Sequence, residues 1–418
     1  MRVPKLRFRE FEGEWEERRF EECFEFLRNN TFSRNDLNYE NGAVKNIHYG
    51  DILTKFDNLL NSNNNEIPFI NADINLKNFE EKDYLKSGDI IIADTAEDFT
   101  VGKAIEIKNV DSSKMLAGLH TFACRGKFNF ALGYLGQYIN SPQYHSQLYT
   151  LVTGIKVSSI SKQSIKDTKL NIPSLAEQEK IGRFLSAVDK KIELTSSLLD
   201  EFKTYKKGLM QKIFTQKLRF RDDEGRNFPD WQEKRLGDIT KVQGGYAFKS
   251  ENFKENGIPI IRISNLSIDS FGIDKNNLVF YDEMENEDNF IINKGDLLIA
   301  LSGATVGKIA VYDLDSKAYL NQRVGLFKRT TLFYYKFMVQ YTKSTVFSNQ
   351  LKNIIVAGAQ PNISPKDIEN FTIKLPSLAE QQKIADFLSS IDSKIDLLDK
   401  ELEGLRAFKK SLLQQMFI

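Results

Sequence analysis

Along two stretches of the chain, apolar residues recur at alternating intervals of four and three. The first holds Ile181, Leu185, Val188, Ile192, Leu199, Phe202, Leu209 and Ile213, with Thr195 and Lys206 in the same register. The second holds Ile384, Leu388, Ile391, Ile395, Leu398, Leu402, Leu405, Leu412 and Met416, with Lys409 in the position of Lys206. Spacing of 3.5 sustained over such a length predicts coiled-coil helices. Each stretch of about 40 residues makes a rod of about 60 Å. Both open on Pro-Ser-Leu-Ala-Glu, where Ser174 with Glu177, and Ser377 with Glu380, have the S-x-x-E spacing of a helix capping box. A lysine in an apolar seam costs stability but can fix register or partner.

The two helices are copies of one another. Pro173 and Pro376 lie 203 residues apart, and the segments that follow align without a gap. Fainter copies flank them. "KLRFR" occurs at Lys5 and again at Lys217, each followed by one of the two tryptophans, Trp15 and Trp231. The tail that follows the first helix is therefore found at the beginning of the chain rather than after the second helix. The repeat is effectively circular, which predicts termini that lie close together. Between these markers, residues 22–171 and 236–374 each carry a strand-like apolar run after a Gly-Asp turn, at Gly88 and Gly295. Short β-branched runs and Gly/Asn turns predict mixed α+β domains. The expected order is a segment 1–21 completing the second repeat, a domain 22–171, a helix 172–215, a linker 216–235, a domain 236–374 and a helix 375–418. The two domains share a scaffold yet diverge in surface residues, as two readers of different targets would.

Composition narrows this only slightly. With 58 Lys and Arg against 57 Asp and Glu, the net charge of +1 neither announces nor excludes a nucleic-acid partner. Cys23 and Cys124 are too few for a disulfide framework. No apolar run approaches a membrane span, and the charged beginning has no secretory middle, so a cytoplasmic protein is expected.

Motifs for catalysis are incomplete. "SGATVGKIA" around Gly303–Lys308 has one residue too few for a P-loop, and Ile309 stands where Ser or Thr would hold magnesium. A tight turn between strands explains it better. In "PDWQEK" the carboxylates of Asp230 and Glu233 sit too close in sequence for a nuclease site. His48, His120 and His145 lack partners at metal-ligand spacing. No nucleophile elbow or Gly-rich cofactor loop is present. The expectation is no metal, no cofactor and no chemistry of the chain's own; a degenerate methyltransferase or nuclease and a purely structural coiled coil are the rivals.

Pro-x-Leu-Ala-Glu-Gln leading into a long helix, at Pro173–Gln178 and Pro376–Gln381, resembles the specificity subunits of type I restriction–modification systems, over essentially the whole chain. The second domain also carries the looser family pattern: Gly244-Gly245-Tyr246-Ala247-Phe248, "GIPIIRISNL" from Gly257, Asn321-Gln322, and Gln360-Pro361-Asn362-Ile363-Ser364. The first domain departs from it, having no Gly-Gly-x-Ala-Phe entry and no Asn-Gln pair. The resemblance implies two α+β target recognition domains separated by two long antiparallel helices in a pseudo-twofold circular repeat. Each domain would read one half of a split, asymmetric site in double-stranded DNA. Helix length would set the gap between the half-sites. The helices would dock two methyltransferase subunits, which carry S-adenosylmethionine, and an ATP-dependent restriction subunit would join that core.

Base readout in the major groove uses Arg or Lys for guanine and Asn or Gln for adenine. The candidates in the second domain are Arg262, Asn265, Lys308, Gln322, Arg323, Gln360 and Asn362. In the first domain they are Lys103, Arg125, Lys127 and Gln137. For Arg262 a salt bridge, for Asn362 a turn or cap, and for Lys308 a solvated strand end are the plainer alternatives. Tyr246 and Phe248 could brace a reading loop or simply fill the core. Ile181, Leu185, Val188, Ile192, Leu199, Phe202, Ile384, Leu388, Ile391, Ile395, Leu398 and Leu402 would form the helix–helix and partner interface.

Overall fold

A computed structural model describes the chain except for residues 1, 99, 111–113, 155–157, 268–270, 285–287 and 358–361. It divides into two compact units, residues 1–197 with 399–418, and residues 198–398. Both are mixed α+β, and each long helix, Leu175–Phe214 or Leu378–Met416, begins in one unit and ends in the other.

The first unit is built on a sheet with strand order Phe24–Phe26, Thr121–Gly126, Ile90–Ala93, Ala104–Lys108, Leu59–Asn61. Beside it lies a second sheet, ordered Lys114–Ala117, Val44–Ile47, Phe69–Ile70, Leu37–Asn38. In the second unit the corresponding orders are Val242–Gly244, Val324–Phe327, Leu297–Ala300, Ile309–Val311, and Val279–Tyr281, Ile258–Ile261, Ala318–Leu320, Ile291–Ile292. Runs such as Ile90-Ile91-Ile92 and Leu297-Leu298-Ile299 are buried throughout, because both faces of the strand are covered. Each run follows a glycine held at positive φ, Gly88 and Gly295 at 90°, a conformation that favours glycine.

A two-stranded ribbon in each unit feeds the long helix: Glu16–Arg19 pairs antiparallel with Lys169–Ile172, and Gln232–Arg235 with Thr372–Leu375. The start of one helix packs beside the end of the other within each unit. In the first unit Ile181 and Leu185 share a core with Leu412, Met416 and Phe417. In the second, Ile384 and Leu388 share one with Met210, Ile213 and Phe214. The packing is antiparallel: Asp189 pairs with Lys409, and two residues further on Lys191 pairs with Glu401 at 2.8 Å. Elsewhere along the seam Leu199, Ile391, Leu398 and Leu402 are buried, and Val188, Ile192, Phe202 and Ile395 half-buried.

The two seam lysines are paired in the same manner. Lys206 meets Asp392, which also accepts from Gln340 at 2.8 Å; Lys409 meets Asp189, which accepts from Gln137 at 2.6 Å. Burial pushes the Asp392 carboxyl up, but Lys343, Lys206 and Gln340 outweigh it and hold the group below its usual range.

The helix starts differ from the expected capping box. Glu177 N–H donates to Ser174 Oγ at 3.3 Å and Glu380 N–H to Ser377 Oγ at 3.4 Å, so that half forms. The carboxylates do not turn back. Glu177 instead takes two bonds of 2.8 Å from Arg7, and Glu380 bonds of 2.8 and 2.9 Å from Arg219. Both arginines belong to the repeated "KLRFR", and a bidentate guanidinium outcompetes one backbone amide for a buried carboxylate. Phe8 and Phe220 follow, packing edge-on against Phe184 and Phe387 at 5.8 and 5.5 Å. The beginning and end of the chain meet in the first unit, where Leu6 N–H donates to Gln415 O at 2.9 Å.

Candidate nucleic-acid interface

In the second unit, the site begins at a close approach of backbones. A Cβ on Gly245 would sit 2.1 Å from Leu320 O, so only glycine lets this segment lie against Leu320 and Asn321. Tyr246 then brackets the turn: its N–H donates to Leu320 O, and its carbonyl accepts from Gln322 N–H, both at 2.8 Å. Phe248 is buried and Tyr246 half-buried, packed together at 5.0 Å. The two rings pack together while the backbone of Tyr246 pins the turn. The turn presents Gln322 and Arg323, both exposed and without side-chain partners among the described residues.

Two further segments converge there. Leu301 N–H donates to Arg323 O at 2.9 Å, and Ile363 N–H to Leu301 O at 2.8 Å, with Ser302 bridged to Asn362. The result is an open hollow of about 890 Å³ lined by Ser302, Gly303, Gln322, Arg323 and Asn362, among others. Gly303 and Gly307, with φ of 78° and 81°, turn the chain from Leu297–Ala300 into Ile309–Val311. A strand, not a helix, follows Lys308, which removes the phosphate cradle a P-loop needs. Lys308 is half-buried, and its ammonium has no hydrogen-bond or ion-pair partner among the described residues.

The remaining candidates have other occupations. Asn265 is fully buried; its Oδ1 accepts from Arg262 N–H at 3.1 Å and its Nδ2 donates to Asn277 O at 3.1 Å. Arg262 is half-buried and donates to the same carbonyl at 2.7 Å, pinning a loop, which is not the salt bridge weighed as the alternative to a base contact. Gln360 lies outside the described residues. In the first unit Arg125 spends its guanidinium on Asp89 and on the carbonyls of Lys82 and Tyr84. Gln137 is buried between Asn58 and Asp189. Lys103 donates to Leu53 O and Phe56 O, and burial lowers its pKa. Lys127 is exposed, with its ammonium on Glu21 O at 2.6 Å. A polar residue type in or beside a strand does not reveal whether its side chain faces solvent or turns inward to a partner, as those of Arg125, Gln137 and Lys103 do.

The first unit nonetheless has the same frame. Asp94 N–H donates to His120 O at 3.1 Å and Ile160 N–H to Asp94 O at 2.9 Å, matching Leu301–Arg323 and Ile363–Leu301. Asn30 N–H donates to Ala117 O at 2.8 Å as Tyr246 does to Leu320, so Asn29-Asn30 fills the place of the missing Gly-Gly-x-Ala-Phe entry. At the position of Arg323 stands His120, its side chain 47% exposed. The signal was available in the sequence: the 203-residue offset of the long helices also separates His120 from Arg323.

The duplicated chain has counterparts among known proteins. Residues 12–204 and 229–407 match the type I restriction modification DNA specificity domain. The chain belongs to this family. Among curated relatives of the specificity-domain family, the MjaVIII type I restriction enzyme specificity subunit of Methanocaldococcus jannaschii is 28% identical over 64% of this chain and 65% of its own length. The EcoKI specificity subunit of Escherichia coli is 25% identical over 44% of this chain and 41% of its own. The first of these matches thus spans just under two thirds of the relative. In fold, the S subunit of the type I restriction–modification system of M. genitalium covers 100% of this chain and 99% of its own, with TM-score 0.62 at 16% identity. A chain from a study of complex assembly and conformational transition in a type I system gives 0.56 at 17% identity, covering 96% and 97%.

Among the described residues, no group of three or more His, Cys, Asp or Glu is placed to hold a metal. His48 is buried with its Nδ1 accepting from Gly50 N–H, and burial with Arg34 nearby lowers its pKa to about 4. Burial likewise lowers the His145 pKa. Asp230 is 3.8 Å from Arg219, and Glu233 lies on an exposed strand. No described helix is long and apolar enough to cross a membrane.

Proposed function

We propose that the chain is the sequence-reading, non-catalytic subunit of a type I restriction–modification complex, each unit reading one half of a split site in double-stranded DNA. One observation carries this: the two units repeat the same backbone frame at one sheet end, and fill it with different polar side chains. In the second unit Gln322, Arg323 and Asn362 contact base edges, with Lys308 as a phosphate anchor. Residues 22–171 and 236–374 serve as the recognition domains, and the helices 172–215 and 375–418 fix the unread gap. Two methyltransferase subunits fit the duplication. The first unit exposes Leu175, Leu194 and Phe408, and the second exposes the repeat-matched Leu378, Leu397 and Tyr205. Single exposed apolar residues are ordinary; the same three recurring at the same repeat positions favour two equivalent docking surfaces. An ATP-dependent restriction subunit joins through that core.

The test is adenine methylation mapped across the genome of cells expressing the chain with a type I methyltransferase subunit, against cells lacking the chain. A new split motif that depends on the chain is the expected outcome. Its absence, with the complex shown to assemble, removes the reading role.

A further inference from the structure

We propose that His120 is the base-reading residue of the first unit, and that it recognises an exocyclic amino group, on adenine or cytosine, through its outward ring nitrogen. This rests on the DNA-reading role proposed above. His120 occupies the frame position of Arg323: its carbonyl accepts from Asp94 N–H as that of Arg323 accepts from Leu301 N–H. It holds a positive φ of 54°, unusual for a residue other than glycine, at the tip that precedes the strand Thr121–Gly126. Backbone in that region is retained where the surrounding structure demands it and is enriched at binding sites.

The local hydrogen bonds orient the imidazole. His120 Nδ1 lies 3.3 Å from Asp94 Oδ1 and 3.3 Å from Thr95 Oγ1, while Thr95 Oγ1 donates to Asp94 Oδ1 at 2.7 Å. In the neutral ring, a carboxylate beside Nδ1 favours the proton at that nitrogen, and Nε2 is then an acceptor. Tyr49 packs edge-on against the ring at 5.3 Å and steadies it. Nε2 has no partner among the described residues, on a side chain nearly half exposed. In the major groove an acceptor meets the adenine N6 or cytosine N4 amino group. Arg323 is a donor only. The two units therefore offer opposite hydrogen-bonding character at one frame position, which accounts for an asymmetric site.

The experiment uses the full chain assembled with its methyltransferase subunit, as wild type and as His120→Asn and His120→Ala. Asparagine tolerates the positive φ, so this variant preserves the turn. Methylation mapping is expected to show one position of one half-site relaxed, on the order of tenfold in discrimination, with the other half-site unchanged. Binding to duplexes in which half-site adenines or cytosines lose their amino group one at a time supplies a second readout. One such loss should weaken the wild-type complex by on the order of tenfold and leave His120→Ala indifferent. A wild-type split motif that both variants reproduce unaltered overturns the assignment and leaves the DNA-reading role standing. Altered recognition in both half-sites also overturns it. No split motif from the assembled wild-type complex overturns both.

Discussion

At the scale of single residues, a buried charge in the first unit has an apolar counterpart in the second. Glu106 pairs with Ile90 across the first unit's sheet, in the place where Val311 pairs with Leu297 in the second. It is buried and accepts from Gly133 N–H at 2.8 Å and Gly136 N–H at 2.9 Å. Burial raises its pKa to about 7 from 4.5, even against the backbone donors that lower it. A carboxyl raised in the folded state contributes stability that is full below pH 4.5 and is lost as pH climbs through about 7. The first unit should therefore weaken over that window, by on the order of 2–4 kcal/mol. Thermal melts of wild type and Glu106→Gln from pH 4.5 to 8 should converge at the acid end and separate towards neutrality. Parallel curves would show that Glu106 ionises normally. Legibility was poorest at this scale. Gln137, Arg125 and Asn265 carry the donors that DNA readers use, but their partners are remote in sequence: Asp189, Asp89 and the carbonyl of Asn277. The residue types of a local segment cannot announce such pairings.

Elements were more legible, because periodicity and capping act over short distances. The long helices follow directly from the 3.5-residue repeat. What the repeat could not reveal is why Pro-Ser-Leu-Ala-Glu-Gln introduces both. The glutamine locks the adjoining domain: Gln178 accepts from Ala131 N–H at 3.1 Å and Gln381 from Tyr334 N–H at 2.8 Å, each donating to its own Pro173 or Pro376 carbonyl. The glutamate receives the arginine of "KLRFR", and Glu380 takes a third bond of 3.0 Å from Trp231 Nε1. Its side chain is 0% exposed, so deleting Arg219 leaves a buried anion without a counter-charge. Arg219→Ala should cost about 3–5 kcal/mol and lower the melting of the second unit. Adding Glu380→Gln should restore most of it, because a neutral amide needs no counter-charge. If the double variant melts no higher than Arg219→Ala, the guanidinium acts by packing on Trp231, 5.8 Å away, and not by charge.

For the whole molecule, the circular repeat makes the position of the chain break a matter of covalent history rather than of packing. The first unit is assembled from both ends of the chain, and the second from one continuous stretch. Yet the joint is the same in each. Leu218 N–H donates to Lys212 O at 3.0 Å where the chain is continuous, and Leu6 N–H donates to Gln415 O at 2.9 Å where it is not. The ion pairs Arg219–Glu380 and Arg7–Glu177 then follow at the same distance of 2.8 Å. Nothing in this packing needs the covalent link between Gln216 and Lys217, whose turn is carried by Gln216 at a positive φ of 60°. A permuted chain that joins Ile418 to Met1 and opens between Gln216 and Lys217 should therefore fold. The helix end and the "KLRFR" segment stay docked on either side of the new break, as they already do in the first unit. Loop-closure entropy changes by only about 1 kcal/mol for short joints, so the melting temperature should shift by a few degrees. With the methyltransferase subunit present, the permuted chain should produce the same split methylation motif as the natural one. A folded permutant whose motif has lost one half-site would show that the second unit needs the covalent turn to hold its recognition domain on the helix, and the two joints would then be alike in geometry but not in strength.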